Sequence, residues 1–515
     1  MERVNHRAAK PGRLQNRGRL PPPGRHWLLF GLALVVCLSR VSAQQQAPQP
    51  APVEPQSSPS AVPPPSNGPQ QPSSDAQLRT GTTSGLNLEE RIQILLADHQ
   101  FSQIESQLDQ LPSVDAQLYR GILANRSNDL AKSVQLLEPL IDSVSASGNS
   151  EHEKLLRKAL SEDYLRLGNW AKAAQAYKTL DSRLHAKLTA DELDEIQMPL
   201  KMLPLARNNP PMTVDPCDPF KLQVTGNPLG LVDIPVFVDA RSRNWMFDPT
   251  APFNLIARSV ARDAGLDISA DSVTITTLTG RPIQVHVTVI PRFTVGGRLT
   301  FHDMTAFVFD DKDYYFPATD YQVEGVLGYP ALAGLGAVTV SSDNTLLVRP
   351  AKPTDPGVDR DLLTTGARFY LDGDQVIVAL GNASRGDRQP EPPSQPASAA
   401  DDRMFVVDAG GQQTYLTSRY FDEHAADFNN QKMEMFSFPG AQTAPQPAYV
   451  AETVPLAVGS MKVDLHYLRV LTQPSDSAGR DDVYGVLGID ALEQLKSYTF
   501  DYRTMRFTVQ AETDQ

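Results

Sequence analysis

Two aspartates, Asp248 and Asp408, each end a hydrophobic run, and they lie 160 residues apart. The first follows Trp245-Met-Phe and the second follows Phe405-Val-Val. Two carboxylates about 3 Å apart cannot both ionise, so they share one proton. The ionised carboxylate can then take a proton from water while the protonated one donates to a carbonyl oxygen. Brought together, this pair would have the chemistry needed to hydrolyse an amide bond.

A second motif recurs at the same spacing of 160 residues. The thirteen residues 323–335 reappear as residues 483–495, with eight identical positions. Each copy places an apolar pair and a glycine after the aspartate, as Val326-Leu327-Gly328 and Val486-Leu487-Gly488. Because two separate motifs share one period, the sequence predicts a duplicated fold with one aspartate in each copy.

The elements that carry these motifs are predicted to be β-strands. From about residue 220 onwards, apolar residues alternate with polar ones, as in Ile234–Val238 and Ile283–Val289. We therefore expect two all-β lobes, at residues 220–352 and 360–512. A Pro/Ser/Ala-rich stretch at about 386–401 interrupts the second lobe and is expected to be a disordered insertion.

Residues 86–200 instead have the apolar spacing of helices. The stretch Tyr164–Tyr177, with Gly168 before Trp170, resembles a tetratricopeptide repeat, and Phe101 and Leu130 occupy equivalent positions in weaker copies. A generic helical domain is the alternative interpretation. In either case the region is expected to be a docking surface for a protein partner, joined to the β lobes by a connector at 201–219.

The N-terminus has the pattern of an export signal. Basic residues lead into the apolar stretch Trp27–Leu38, and the small residues before Gln44 suit cleavage, which makes 1–43 a signal peptide. Residues 44–85 are rich in Pro, Gln and Ser and are expected to form a disordered linker. We therefore predict a periplasmic or secreted protein, which would be anchored to a membrane only if the signal segment were retained or Cys37 were lipidated.

Composition excludes several classes of function. The formal net charge is −13 and the pI is about 5.2, which argues against nucleic acid as a partner. No metal-binding spacing of histidines and cysteines and no nucleotide-binding glycine loop is present, so no cofactor and no metal are expected. Cleavage of the signal would leave Cys217 as the single cysteine, without an intrachain disulfide.

With these motifs in place, the region 220–510 resembles retropepsin-like and pepsin-like aspartic peptidases that carry both lobes in one chain. The matching stretches are Phe247-Asp248-Pro-Thr-Ala251 and Val407-Asp408-Ala-Gly410-Gly411. The resemblance implies that Asp248 and Asp408 are catalytic and bind a peptide or protein substrate between the lobes. It implies that the active-site loops are supported by these residues: Thr250, Ala251, Gly410, Gly411, Leu327, Gly328, Leu487 and Gly488.

The resemblance also implies flaps over the cleft. Thr279-Gly280 is the best candidate for a flap tip in the first lobe, and a hairpin turn without a flap role is the alternative.

Two residues next to the aspartates depart from the family pattern. Pro249 and Ala409 stand where the family has Thr or Ser, whose hydroxyls tie the lobes together, and Thr250 stands where it has Gly. Three hypotheses therefore remain. The protein is an exported aspartic endopeptidase, a degenerate pseudo-protease that binds peptides without cutting them, or a scaffold whose helical domain carries the function.

Overall fold

The computed structural model describes residues 86–276, 282–351, 366–373, 375–382, 402–409, 413–437, 445–473 and 482–511. Several sequence predictions lie outside these residues. They are the signal peptide (1–43), the linker (44–85), the insertion (386–401), the flap residues Thr279 and Gly280, and Gly410 and Gly411.

The first part of the described chain is helical. Its α-helices are α1 (Leu88–Ala97), α2 (Phe101–Glu105), α3 (Ser113–Arg126), α4 (Leu130–Leu137), α5 (Ile141–Ser147), α6 (Ser150–Arg166), α7 (Trp170–Leu184) and α8 (Ala190–Ala206). We call residues 86–206 the helical region. Asn87 and Thr189 begin helices α1 and α8 with capping boxes. In each box the side chain of the capping residue accepts a backbone N–H of the first turn, and a glutamate of that turn accepts the backbone N–H of the capping residue.

Three turns between helices share one backbone geometry. Each has a residue with positive φ two positions before the next helix, and these residues are His99, Asn128 and Gly168. In each turn the following N–H donates to a carbonyl five residues back, as Gln100 to Leu95, Asp129 to Ala124 and Asn169 to Tyr164. The helices after these turns begin at Phe101, Leu130 and Trp170, the positions that the sequence aligned.

Helix α8 continues to Ala206, six residues beyond the expected end of the helical region at 200. Pro199 and Pro204 lie inside it. A proline removes one backbone donor from a helix, but the buried residues Met202 and Leu203 hold this segment against the core. The expected connector at 201–219 therefore begins as helix, and it also contains strand β1 (Thr213–Val214).

The rest of the chain is mostly β-structure. The strands before residue 350 are β2 (Phe220–Gln223), β3 (Thr225–Gly226), β4 (Val232–Val238), β5 (Arg241–Phe247), β6 (Leu255–Ala257), β7 (Val273–Thr276), β8 (Pro282–Val295), β9 (Leu299–Phe309), β10 (Tyr315–Phe316), β11 (Tyr321–Gln322), β12 (Gly325–Leu327), β13 (Ala337–Ser341) and β14 (Thr345–Arg349). Helices α9 (Arg258–Asp263) and α10 (Tyr329–Leu335) lie among them. We call residues 213–349 the first half.

The second half covers the described residues from 367 to 511. Its strands are β15 (Ala367–Asp372), β16 (Gln375–Asn382), β17 (Arg403–Val407), β18 (Tyr415–Leu416), β19 (Glu434–Phe436), β20 (Gln446–Val458), β21 (Met461–Leu471), β22 (Gly485–Leu487), β23 (Leu495–Asp501) and β24 (Arg506–Ala511). Its helices are α11 (Ser418–His424) and α12 (Ile489–Leu492).

The two halves share a 13-stranded sheet, to which the first half contributes three strands and the second half ten. At one end of this sheet, six antiparallel strands follow the order β2-β14-β13-β23-β24-β15, three from each half. At the middle pair, Thr339 of β13 lies opposite Thr499 of β23, and their hydroxyl oxygens are 2.8 Å apart. These two threonines are also 160 positions apart in the chain, which makes the junction alike when seen from either half.

Large aromatic side chains fill the interior of both halves. Trp245, Phe247 and Phe293 are fully buried in the first half, and Phe405 and Phe500 in the second. Among the described residues, no helix has the length and apolar character needed to cross a membrane.

Candidate active site

The strands of each half bring the two sequence motifs side by side. In the first half β5 pairs in parallel with β12, so that Phe247 lies opposite Leu327. In the second half β17 pairs in parallel with β22, and Val407 lies opposite Leu487. Asp248 and Asp408 are the next residues after these pairs, at the ends of the parallel strands.

Asp248 is buried and tightly held, with 2% of its surface exposed. Its Oδ1 accepts two hydrogen bonds from Thr250, one from the backbone N–H at 2.9 Å and one from the hydroxyl at 2.7 Å. The carbonyl of Asp248 also accepts the N–H of Ala251 at 3.2 Å. The loop therefore fixes the orientation of this carboxyl group.

Burial raises the pKa of Asp248 from 3.8 to about 6, because a charge in this environment loses its hydration. The bonds from Thr250 act in the opposite direction, since they favour the ionised form. The negative charge of Asp408 raises the pKa of Asp248 further. The two aspartates are therefore electrostatically linked.

Asp408 lies in a more open position and is half-buried. Its backbone N–H donates to the carbonyl of Leu487 at 2.9 Å, which ties the loop to the parallel strand pair. The next residue, Ala409, is buried and brings no hydroxyl.

The two glycines of the repeated motif are fixed by residues that the sequence analysis missed. The N–H of Gly328 donates to the Asn254 side chain at 3.0 Å, and the N–H of Gly488 donates to the Thr414 hydroxyl at 2.9 Å. A side chain at position 328 would lie 2.1 Å from the carbonyl oxygen of Phe253, so only glycine fits there. Asn254 and Thr414 are 160 positions apart, and the period of the two motifs was the signal that could have found them.

Thr250, which the resemblance named as a support of the loop although the family has Gly there, bonds directly to Asp248. Its hydroxyl doubles the contact that its backbone N–H makes with the carboxyl group.

The carbonyl of Pro249 has a partner that no sequence motif indicates. It accepts the hydroxyl of Tyr502, from the second half, at 2.8 Å. Two residues further along the loop, the carbonyl of Ala251 accepts the N–H of Tyr329 at 2.7 Å. The Tyr329 and Tyr502 rings meet edge to face, with centroids 6.2 Å apart. Two tyrosines therefore support the Asp248 loop at Pro249 and Ala251, where position 249 has no hydroxyl of its own.

The structure thus brings most of the expected site residues together around two loops. Thr250 and Ala251 bond to Asp248, and Gly328 precedes Tyr329, which bonds to Ala251. In the second half Leu487 bonds to Asp408, and Gly488 follows Leu487. Within the described residues, no group of three or more His, Cys, Asp or Glu side chains could hold a metal ion. The charge of Asp408 acts on the buried carboxyl group of Asp248 in this arrangement.

Comparison with known proteins finds a family match within the first half. A family model described as aspartyl protease matches residues 234–331, a stretch that contains Asp248 and Gly328. Among solved structures, the chain is similar to a retropepsin-like aspartic protease from Rickettsia conorii, at 17% identity over 25% of this chain and 98% of that chain, with a TM-score of 0.20. The comparison with curated proteins gives no match. The family match makes residues 234–331 a region similar to aspartyl proteases, with the buried Asp248 inside it.

Proposed function

We propose that this protein is a two-lobed aspartic endopeptidase in which Asp248 and Asp408 activate water against a peptide bond. The observation that carries this proposal is the state of Asp248. It is buried, oriented by Thr250 and raised in pKa, in part by the charge of Asp408. A carboxyl group kept protonated beside a second carboxylate is the requirement for shared-proton chemistry.

In the proposed reaction, the Asp408 carboxylate accepts a proton from water as the water oxygen bonds to the carbonyl carbon of the substrate. Asp248 donates its proton to the carbonyl oxygen, which gives a neutral tetrahedral intermediate. When the carbon–nitrogen bond breaks, the proton on Asp408 passes to the leaving amine and the proton on the intermediate returns to Asp248. The pair is regenerated without a cofactor.

The duplicated fold is part of this proposal, with the two halves as its two lobes. It is supported by the shared offset of 160 residues in the aspartates, in the parallel strand pairs and in the Thr339–Thr499 contact. At the end of the sheet where the halves meet, three strands of each half lie side by side, which is the arrangement that two similar lobes would make.

We further propose that the helical region is a tetratricopeptide-like docking domain and that the protein is exported. The three turns of equal geometry at His99, Asn128 and Gly168 support the first statement. The second depends on the sequence of residues 1–43. N-terminal sequencing of the exported chain should find Gln44 first, and an intact Met1 would contradict cleavage.

A pseudo-protease that binds peptides without cutting them is the second candidate. The absence of hydroxyls at Pro249 and Ala409 favours it, because a catalytic pair needs tightly held geometry.

Peptide-library cleavage by the full chain over roughly pH 3 to 8 separates the two candidates. The proposal predicts cleavage on the acid side that both Asp248→Asn and Asp408→Asn abolish. Asp239→Asn is the matched control, because Asp239 lies in the exposed turn after β4 and has a positive φ that asparagine tolerates. Peptide binding without cleavage by the unaltered protein would instead identify the pseudo-protease.

A further inference from the structure

The turn after helix α3 contacts both halves of the β-structure. Arg126 is the last residue of the helix, and Asn128 follows with a φ of +57°. Arg126 reaches Asp372 in the second half, while Asn128 reaches Tyr329 in the first. Two residues of one short turn therefore connect the helical region to the two halves, each of which carries one of the aspartates.

The contact with the first half leads directly to the Asp248 loop. The hydroxyl of Tyr329 donates to Asn128 Oδ1 at 2.7 Å, and the backbone N–H of the same tyrosine donates to the carbonyl of Ala251 at 2.7 Å. Ala251 in turn donates its N–H to the carbonyl of Asp248. Only Tyr329 and Ala251 separate the helical region from this aspartate.

The contact with the second half leads to the strand that carries Asp408. Arg126 Nη2 lies 2.8 Å from Asp372 Oδ1, at the end of β15. Strand β15 pairs with β16, and Val376 of β16 lies opposite Val407, the residue before Asp408. The position of β17 is therefore set by a hairpin whose end is held by the helical region.

The contact at Asp372 is buried and specific in its charges. The side chain of Arg126 is 6% exposed, and its Nη1 lies 2.7 Å from Glu162 Oε2, so one guanidinium joins two carboxylates. His99 Nδ1 is 3.3 Å from Asp372 on another side. Burial opposes ionisation of Asp372, but the positive charge around it lowers its pKa overall. Loss of this charge would leave the buried Arg126 with Glu162 as its remaining carboxylate partner here.

The back of the Asp248 loop also faces the helical region. Residues 249–252, Tyr329 and Pro330 line a cleft with Glu162, Leu165 and Arg166 of helix α6. Across the cleft, Arg166 Nη2 donates to the carbonyl of Leu371 at 3.5 Å. Helix α6 therefore lies against the Asp248 loop and against strand β15 of the second half.

We propose that the helical region braces the two aspartate loops, with Arg126 and Asn128 as positioning residues that act through Asp372 and Tyr329. The brace supplies the link between halves that hydroxyls at positions 249 and 409 would otherwise provide. This role in catalysis depends on the proposed peptidase function, whereas the ordering of the loops does not. A helical region that docks by this turn is part of the active site's support and not only a surface for partners.

Variants of the full chain test the brace at Asn128. Glycine at 128 keeps the positive φ of the turn but removes the acceptor for Tyr329, whereas aspartate keeps an acceptor oxygen and also tolerates this φ. Asn128→Gly and Tyr329→Phe should each lower kcat about 10-fold or more with KM unchanged, because small displacements of reacting groups are costly. Asn128→Asp should retain the activity of the unaltered protein.

At the second contact, the salt bridge of Arg126 with Asp372, the variant Asp372→Asn should lower kcat to a similar extent as Asn128→Gly, with KM unchanged. Asp343→Asn is the control, since Asp343 lies in the exposed turn between β13 and β14, where its carboxylate accepts hydrogen bonds from nearby Thr345. Tyr315→Phe is the control for Tyr329→Phe, because its hydroxyl contacts the exposed Asp320.

Hydrogen exchange gives a readout that does not require activity. The brace predicts faster amide exchange at Thr250 and Ala251 in Asn128→Gly and Tyr329→Phe, at 404–408 in Asp372→Asn, and at neither segment in the controls. If the unaltered protein cuts no peptide, the peptidase proposal fails, and faster exchange at these amides still supports the brace. Exchange and kcat equal to those of the controls would overturn it.

Discussion

The Asp248 and Asp408 loops follow matching strands but treat their carboxyl groups differently. Asp248 is 2% exposed and accepts two bonds from Thr250, whereas Asp408 is half-buried and its loop continues with Ala409. The more buried carboxyl group pays the larger desolvation cost when ionised. Burial raises the pKa of Asp248, so two similar loops surround their carboxyl groups with different environments.

The support of the two loops differs in residue type but not in position. Asn254 holds Gly328 and Thr414 holds Gly488, although one is an amide and the other a hydroxyl. Each accepts a glycine N–H, which is the property that the position requires. A repeat can therefore diverge at its supporting residues while it preserves the hydrogen bond.

The largest expected effect concerns the aspartates as a pair. Asp248→Asn and Asp408→Asn should each lower kcat by about 100- to 10,000-fold, because each removes one partner in proton transfer. The double variant should be no worse than the poorer single variant, since groups that act as a unit are not additive. Steady-state kinetics on one cleaved peptide measures this, with Asp239→Asn as control. Additive losses would show that the aspartates act independently.

Stability should distinguish the two aspartates as well. The pKa of Asp248 is raised from 3.8 to about 6 in the folded protein, so the folded state binds its proton more tightly than the unfolded state. The free energy of unfolding then falls as pH rises through this interval, and the loss is complete above about pH 6. Asp248→Asn avoids this loss and should be more stable than the unaltered protein at pH 8 by about 3 kcal/mol.

Urea denaturation at pH 8 and pH 4 checks this prediction. The advantage of Asp248→Asn should disappear at the lower pH, where Asp248 is protonated in the folded protein. An equal stability of the variant and the unaltered protein at pH 8 would mean that Asp248 carries no desolvation cost.

The hydroxyl of Thr250 should set the basic limit of activity. Thr250→Val keeps the backbone donor and removes the hydroxyl, a bond to a charged group worth about 1.5 to 3 kcal/mol. The pKa of Asp248 should rise by about one to two units. The basic limb of the kcat/KM profile should move to higher pH by the same amount. Thr288→Val, which removes a buried hydroxyl bonded to the carbonyl of Asp267, should leave that limb in place.

The smallest effect is expected where the halves meet. Thr339→Val or Thr499→Val leaves one hydroxyl without its partner and should cost about 1 kcal/mol, with similar values from either side. The double variant should be nearly neutral, because both polar groups are removed together. Denaturant unfolding of the three variants measures this. Unequal costs for the two single variants would show that the junction is less alike from the two halves than the register suggests.

Residues in repeated motifs were the part of the site that sequence could predict. Asp248, Asp408, Gly328 and Gly488 stand out because two motifs recur at one spacing. The resemblance placed Thr250 among the supports of the loop, but the sequence does not show that its hydroxyl points at the Asp248 carboxyl group.

The contacts of Arg126, Asn128 and Tyr502 could not be predicted. Each joins elements that are far apart in the chain, and no periodicity links them. The strands and helices followed from local patterns, but the end of α8 did not, because buried residues outweighed two prolines.

The pairing of the two aspartates is tested most directly by ¹³C NMR of the full chain labelled at aspartate carboxyls. The signal of Asp248, assigned by its loss in Asp248→Asn, should titrate near pH 6, and its midpoint should move to lower pH in Asp408→Asn. That shift would show that the charge of Asp408 acts on the proton of Asp248. A midpoint near 3.8, or one that Asp408→Asn does not change, would contradict the paired site.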